Sequence, residues 1–260
     1  MYQLFYKYQA TGNDFVMIDN RQNDFNGSNN ALIRKLCDRR FGIGADGLIL
    51  ISNDPLVDFN MRYFNADGKE ASMCGNGGRC AVAFARYLNI FQGDHVTFTA
   101  VDGEHEAYLG TKTVKLKMID VLKTEEIRQG IFMETGSPHF VEFCSDIDQI
   151  NVFKEGMAIR NSDIFEPGGT NVNFVEYKDK IIHIRTFERG VENETLSCGT
   201  GSVAAALAVS LKYRNDKKAY PLKAPGGNLV VSFEQKPDGS FRNIWLEGPA
   251  SHVFEGKIEL

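Results

Sequence analysis

Two cysteines each open a Cys-Gly-x-Gly turn: Met73-Cys74-Gly75-Asn76-Gly77-Gly78-Arg79-Cys80-Ala81 and Ser197-Cys198-Gly199-Thr200-Gly201-Ser202-Val203-Ala204-Ala205. Each turn leads into apolar residues at helical spacing, Ala81, Phe84, Ala85 and Leu88 in the first and Ala204, Leu207, Ala208 and Leu211 in the second. Cys74 and Cys198 are therefore expected at helix N-termini. The positive end of a helix and its unpaired backbone N–H groups favour a thiolate and can hold an anion. Two such places in one chain point to two thiols flanking one anionic substrate.

A cysteine beside small residues is most often a buried hydrophobe. Repetition weighs against that reading here. The numbering offset between Cys74 and Cys198 also brings Thr11-Gly12-Asn13-Asp14-Phe15-Val16 onto Thr135-Gly136-Ser137-Pro138-His139-Phe140-Val141, with one residue inserted. It brings Phe64-Asn65-Ala66-Asp67-Gly68 close to Phe187-Glu188-Arg189-Gly190 as well. Matches that keep their order at a near-constant offset indicate a duplicated domain.

The bulk properties agree with two small domains and a small-molecule ligand. A chain of 260 residues can bury two ordinary cores. Its net charge of −5, without a basic run, favours neither nucleic acid nor an anionic membrane as partner. Five cysteines, Cys37, Cys74, Cys80, Cys144 and Cys198, and a start without a signal-peptide pattern lead to the expectation of a reducing, cytoplasmic location. Cys37 and Cys80 fall within apolar helical patterns and are expected in the core. No Cys or His spacing makes a zinc site, so no metal is expected.

The elements that must position the cysteines follow in order. Strands are expected over residues 4–8 and 15–19, separated by the Thr11-Gly12-Asn13-Asp14 turn, then a helix from Ser28 or Asn29 to near Phe41-Gly42. Gly42-Ile43-Gly44-Ala45-Asp46-Gly47 precedes a strand over 48–51 and opens no helix, which excludes a dinucleotide loop. A strand over 59–64 leads to the first cysteine, and strands over 96–100, 104–109 and 114–117 follow its helix. The charged stretch 122–130 is expected to connect the halves. The second half repeats the plan with strands over 131–134, 139–143, 172–177 and 181–187, a short helix over 152–159, and closing strands over 229–233 and 244–247. The expected domains are 1–121 and 122–251, with a terminal strand over 252–260 free to join the first. The fold class is α+β, with antiparallel sheet around buried helices.

Two opposed thiols can invert a carbon. If both helix N-termini hold one α-carboxylate, they stabilise the electron density that reaches it when the α-proton leaves. One cysteine as thiolate removes that proton while the other, as thiol, delivers a proton to the opposite face. An unperturbed thiol has a pKa of about 8.5, and a helix N-terminus lowers it, so thiol and thiolate can coexist near neutral pH. The scheme needs no cofactor.

These motifs resemble the diaminopimelate epimerase family. The resemblance covers nearly the whole chain, through Thr11-Gly12-Asn13-Asp14-Phe15, Arg40-Phe41-Gly42-Ile43-Gly44-Ala45-Asp46-Gly47, Phe64-Asn65-Ala66-Asp67-Gly68, Gly136-Ser137-Pro138-His139, Gly169-Thr170-Asn171-Val172, Phe187-Glu188-Arg189-Gly190 and both cysteine turns. It implies two pseudo-symmetric halves, each an antiparallel barrel-like sheet around a central helix, usually in a homodimer. It implies cofactor-independent interconversion of L,L- and meso-diaminopimelate for lysine and peptidoglycan synthesis. Cys74 and Cys198 become the acid/base pair, and Gly75, Asn76, Gly199 and Thr200 the backbone donors to the α-carboxylate. Asn13, Asn65, Asn171, Glu188 and Arg189 become substrate-binding residues, with Ser137 and His139 lining the site. Many members carry glutamine where this chain has Gly47 and asparagine where it has Ser137.

Neighbouring readings are separated by single residues. Proline and hydroxyproline racemases share the two-thiol logic but typically have histidine after the first Cys-Gly, where this chain has Asn76. Phenazine-biosynthesis isomerases lack the cysteine pair. A different class would be a binding protein that keeps the duplicated fold without catalysis, or a thiol redox sensor that uses the same two cysteines as a reversible disulfide.

Overall fold

Strand pairing in this protein follows one plan, executed twice. The fold was obtained as a computed structural model describing residues 2–214 and 217–260. The chain forms two compact units, Met1–Leu116 with Gly248–Leu260, and Lys117–Glu247.

The first unit contains β1 (Tyr2–Ala10), β2 (Asn13–Asp19), α1 (Asn30–Cys37), β3 (Gly47–Ser52), β4 (Phe59–Asn65), β5 (Glu70–Ala71), α2 (Gly75–Tyr87), β6 (His95–Ala100), β7 (Gly103–Leu109) and β8 (Thr113–Lys117). In space β1, β2, β3, β4, β6, β7 and β8 are successive neighbours, and β5 is a short strand beside the end of β4. The second unit contains β9 (Thr124–Ile127), β10 (Gly130–Glu134), β11 (Pro138–Phe143), α3 (Val152–Arg160), β12 (Asn171–Lys178), β13 (Ile181–Glu188), β14 (Asn193–Thr195), α4 (Gly199–Tyr213), β15 (Ala219–Ala224), β16 (Gly227–Gln235) and β17 (Phe241–Pro249). Its neighbour order from β10 to β17 repeats that of β1 to β8. The C-terminal β18 (Ser251–Glu259) returns to pair with β1, as β9 pairs with β10.

Most pairings are antiparallel, and the exceptions have one cause. The parallel neighbours β2–β3, β4–β6, β11–β12 and β13–β15 are those joined through α1, α2, α3 and α4. A parallel pair needs a crossover, and a helix supplies it. Residues 122–130, expected as a connector, carry β9 instead. Its charged Thr124-Glu125-Glu126-Ile127 sequence hides a strand because its two glutamates are exposed. The first helix stops at Cys37, short of Phe41-Gly42, because Oδ1 of Asp38 turns back to accept from N of Arg40 and of Phe41.

In each unit the sheet wraps around one central helix. α2 packs against β1, β2, β3, β4, β7 and β18, and α4 against β10, β11, β12, β13, β15 and β16. α4 is apolar almost all round, as a helix enclosed by its own sheet must be. The outer face of the first sheet is covered by α1, where Ile33, Leu36 and Cys37 join Phe5, Val16, Ile18, Leu48 and Leu50. α3 covers the equivalent face of the second, with Val152 against Phe140, Val172, Phe174 and Phe187. β3 is accordingly buried through five consecutive residues, as a strand covered on both faces should be. Among the described residues no helix is long and apolar enough to cross a membrane.

Candidate active site

Both cysteines are N-caps. Cys74 has extended backbone angles immediately before α2, and its Sγ accepts from N of Gly77 at 3.2 Å. The Cys74 thiol also faces Oδ1 of Asn13 at 4.0 Å. Asn13, the first residue of β2, is fixed from two sides: Nδ2 of Asn76 donates to its Oδ1 at 3.2 Å, and its own Nδ2 donates to Oδ2 of Asp46 at 2.7 Å. Asp46 is held in turn by Arg39, which bridges Asp46 and Asp14. Burial of Asp14 opposes its charge, but hydrogen bonds from Arg39 and Lys7 outweigh burial and hold its pKa down to about 2. A chain of charges anchored behind the strand ends thus sets the Asn13 carboxamide beside the thiol.

The other polar anchor is Arg79, fully buried one turn into α2. Its guanidinium donates to O of Gly75 at 3.1 Å, Oδ1 of Asn76 at 2.9 Å and Oγ1 of Thr11 at 3.2 Å. Burial lowers its pKa to about 10, which still leaves it a cation near neutral pH. A buried cation and a helix N-terminus both favour a thiolate at Cys74.

The second unit builds the same corner from different residues. Cys198 caps α4, and its Sγ lies 3.4 Å from Oγ1 of Thr200. That hydroxyl lies 2.8 Å from Nε2 of the fully buried His139, which is also 3.1 Å from Oγ of Ser137. Nδ2 of Asn173 donates to Nδ1 of His139 at 3.1 Å, which leaves the hydrogen on Nε2. Burial pushes the imidazole pKa down to about 3, so His139 is neutral. A side chain at Gly201 would meet Oδ1 of Asn173 at 2.4 Å, so glycine is needed for the helix to start this close to the strand.

Asn171, at the start of β12, donates through Nδ2 to O of Pro138 at 2.9 Å and accepts from N of Arg189 at 2.9 Å. Glu188 ends β13 and accepts from the Thr195 hydroxyl at 2.8 Å, while the Arg189 guanidinium reaches O of Gly168 at 3.3 Å. Asn65 ends β4 in the first unit as Glu188 ends β13 in the second, and it is exposed. The first unit therefore gathers Asn13, Cys74, Gly75 and Asn76, with Asn65 at an adjacent strand end. The second gathers Ser137, His139, Asn171, Cys198, Gly199 and Thr200, with Glu188 and Arg189 beyond Asn171.

Sequence reasoning missed Arg79 and Asn173. Both lie within apolar patterns, and an arginine in a helix ordinarily reads as a solvated face. The remaining cysteines have no comparable setting. Burial pushes Cys37 up to about 12 and Cys144 up to about 11, and raises Cys80 further still, leaving all three as thiols. Among the described residues no cluster of His, Cys, Asp or Glu suits a metal ion.

Comparison with known proteins gives the same architecture a family. The family model described as diaminopimelate epimerase matches residues 5–121 and 131–253. A diaminopimelate epimerase of Flavobacterium psychrophilum is 49% identical over 255 residues, covering 97% of this chain and 99% of that protein. One from Aquifex aeolicus is 40% identical over 275 residues, covering 98% and 97%. Among solved structures, a phenazine biosynthesis protein of the PhzF family from Bacillus anthracis superposes with a TM-score of 0.81 at 14% identity, over 100% of both chains. A hydroxyproline epimerase from Agrobacterium vitis gives 0.70 at 11% identity, over 100% of this chain and 93% of that one. These two share the fold, whereas the sequence matches extend across both cysteine corners: the chain belongs to the diaminopimelate epimerase family.

Proposed function

We propose that this chain interconverts L,L- and meso-diaminopimelate by two-base chemistry, with Cys74 and Cys198 as the acid/base pair. The observation that carries the reading is that both cysteines cap the central helix of their unit, in a chain of this family. In this reading the two thiols act on opposite faces of one α-carbon. Backbone N–H groups of Gly75, Asn76, Gly199 and Thr200 hold the reacting carboxylate, which takes up electron density as the α-proton leaves. The thiolate accepts that proton, and the opposing thiol donates its own to the other face. The carbon is inverted and the two sulfurs exchange protonation states. Asn13, Asn65, Asn171, Glu188 and Arg189 hold the remaining ammonium and carboxylate groups, Arg189 through a planar fork suited to carboxylate. Ser137 lines the site, and the buried His139 backs it as a neutral donor to the Thr200 hydroxyl.

The reaction requires no pyridoxal phosphate and no metal in this scheme. Its product feeds lysine and peptidoglycan synthesis, in the cytoplasm, and the working form is a homodimer. The reading is tested by offering the purified, reduced protein L,L-diaminopimelate, proline and 4-hydroxyproline without added cofactor. Formation of meso-diaminopimelate alone supports it; turnover of the cyclic substrates instead assigns the chain to the other two-thiol epimerases.

A further inference from the structure

Gly47 begins β3 and pairs with Asn65 at the end of β4, while Tyr63 sits two residues earlier on the same face of β4. The tyrosine ring leans over the glycine. A Cβ on Gly47 would stand 2.5 Å from Cε2 of Tyr63. Phe15 steadies the ring edge-on, with centroids 5.9 Å apart and planes at 79°. From this position the phenol donates to Oδ1 of Asn65 at 2.8 Å.

The second unit fills the same place differently. Its registers put Asn171 where the first unit has Gly47, and Thr186 where it has Tyr63. There the carboxamide of Asn171 is fixed by main-chain groups of Pro138 and Arg189. The first unit has no side chain at position 47, and a carboxamide is instead fixed on the neighbouring strand, by Tyr63.

We propose that Tyr63 is a positioning residue of the substrate site: by engaging Oδ1 of the exposed Asn65, it turns Nδ2 outward as a donor for a substrate carboxylate. An ammonium group, which needs an acceptor, is disfavoured there. The inference rests on the epimerase reading and adds a residue to the substrate-binding set.

The experiment is a double-mutant cycle of Tyr63→Phe and Asn65→Ala, with steady-state kinetics on L,L-diaminopimelate. Tyr63→Phe keeps the ring over Gly47 and deletes only the donor. It is expected to raise KM about tenfold, the scale of one lost hydrogen bond to an organising group, with kcat within about twofold. Its melting midpoint should match the wild type. The double variant should be no worse in KM than Asn65→Ala alone, because Tyr63 acts through Asn65. An unchanged KM in Tyr63→Phe, or a double variant whose KM increase is the product of the single effects, overturns the assignment. Either result alongside normal wild-type turnover removes this inference alone; a wild-type protein without turnover removes the epimerase reading on which it stands.

Discussion

Nε2 of His139 stands 2.8 Å from the hydroxyl of Thr200. With Asn173 donating to the other ring nitrogen, the imidazole is fixed as a neutral donor, and the hydroxyl it contacts lies beside the Cys198 sulfur. Burial lowers the His139 pKa from 6.5 to about 3, so the folded state resists a proton that the unfolded chain accepts. Stability from this residue is complete above the unfolded pKa and is lost as pH falls toward the folded one. Between those limits the loss approaches about 1.4 kcal/mol per pH unit. Urea unfolding at pH 7, 6 and 5 should show this slope in the wild type and its absence in His139→Gln. Equal slopes would show that His139 does not titrate on unfolding. Asp14, held down to about 2, adds its own loss only at lower pH, through the ordinary carboxylate range.

Arg79 is expected to be the costliest single substitution in the first corner. Arg79→Met leaves Oδ1 of Asn76, Oγ1 of Thr11 and O of Gly75 without this donor inside the unit. A loss of roughly 2–4 kcal/mol in unfolding free energy follows. Arg79→Lys should recover little of it, because one ammonium cannot span the three acceptors in the arginine geometry. Denaturant midpoints of the two variants provide the check, and near-wild-type stability of Arg79→Met would refute the argument.

These two residues also show what the sequence could and could not disclose. The cysteine corners were legible because a helix cap is local: a Cys-Gly-x-Gly turn before an apolar run specifies where the sulfur sits. The duplicated strands were legible through their order. β9 was not, since a charged strand with exposed glutamates is defined only by its partner β10. β15 was also missed, because Pro221 breaks the local strand signal although Tyr220, Leu222 and Ala224 alternate inward. Arg79 and Asn173 were not, because Thr11 for the one and His139 for the other lie far away in sequence, which residue type and spacing do not encode.

Gly47 should tolerate no side chain. An added Cβ meets O of Phe64 as well as the Tyr63 ring, each at 2.5 Å, and the carbonyl belongs to a paired strand that cannot swing away. Gly47→Ala is expected to cost about 1–3 kcal/mol. Adding Tyr63→Ala should fail to restore stability, since the clash with the carbonyl persists. Full recovery in the double variant would place the whole conflict in the ring.

If the two halves bring their cysteines to one carbon, mild oxidation should join them. Two-electron oxidation by added hydrogen peroxide would convert Cys74 and Cys198 to a disulfide, with loss of activity and its return on reduction. Peptide mapping by mass spectrometry reads the linkage directly. Oxidised, inactive protein in which these two cysteines are not linked would contradict the proposed two-thiol site.

The most direct test of the two-base account is turnover of L,L-diaminopimelate in heavy water with the reduced protein and no added cofactor. Removal of the α-proton by one sulfur and delivery by the other predicts meso product carrying one solvent deuterium at the inverted carbon, while substrate recovered from the first turnovers keeps its hydrogen. Cys74→Ser and Cys198→Ser should each abolish this conversion. Meso product that retains the original hydrogen, or undiminished conversion by either variant, would contradict the account.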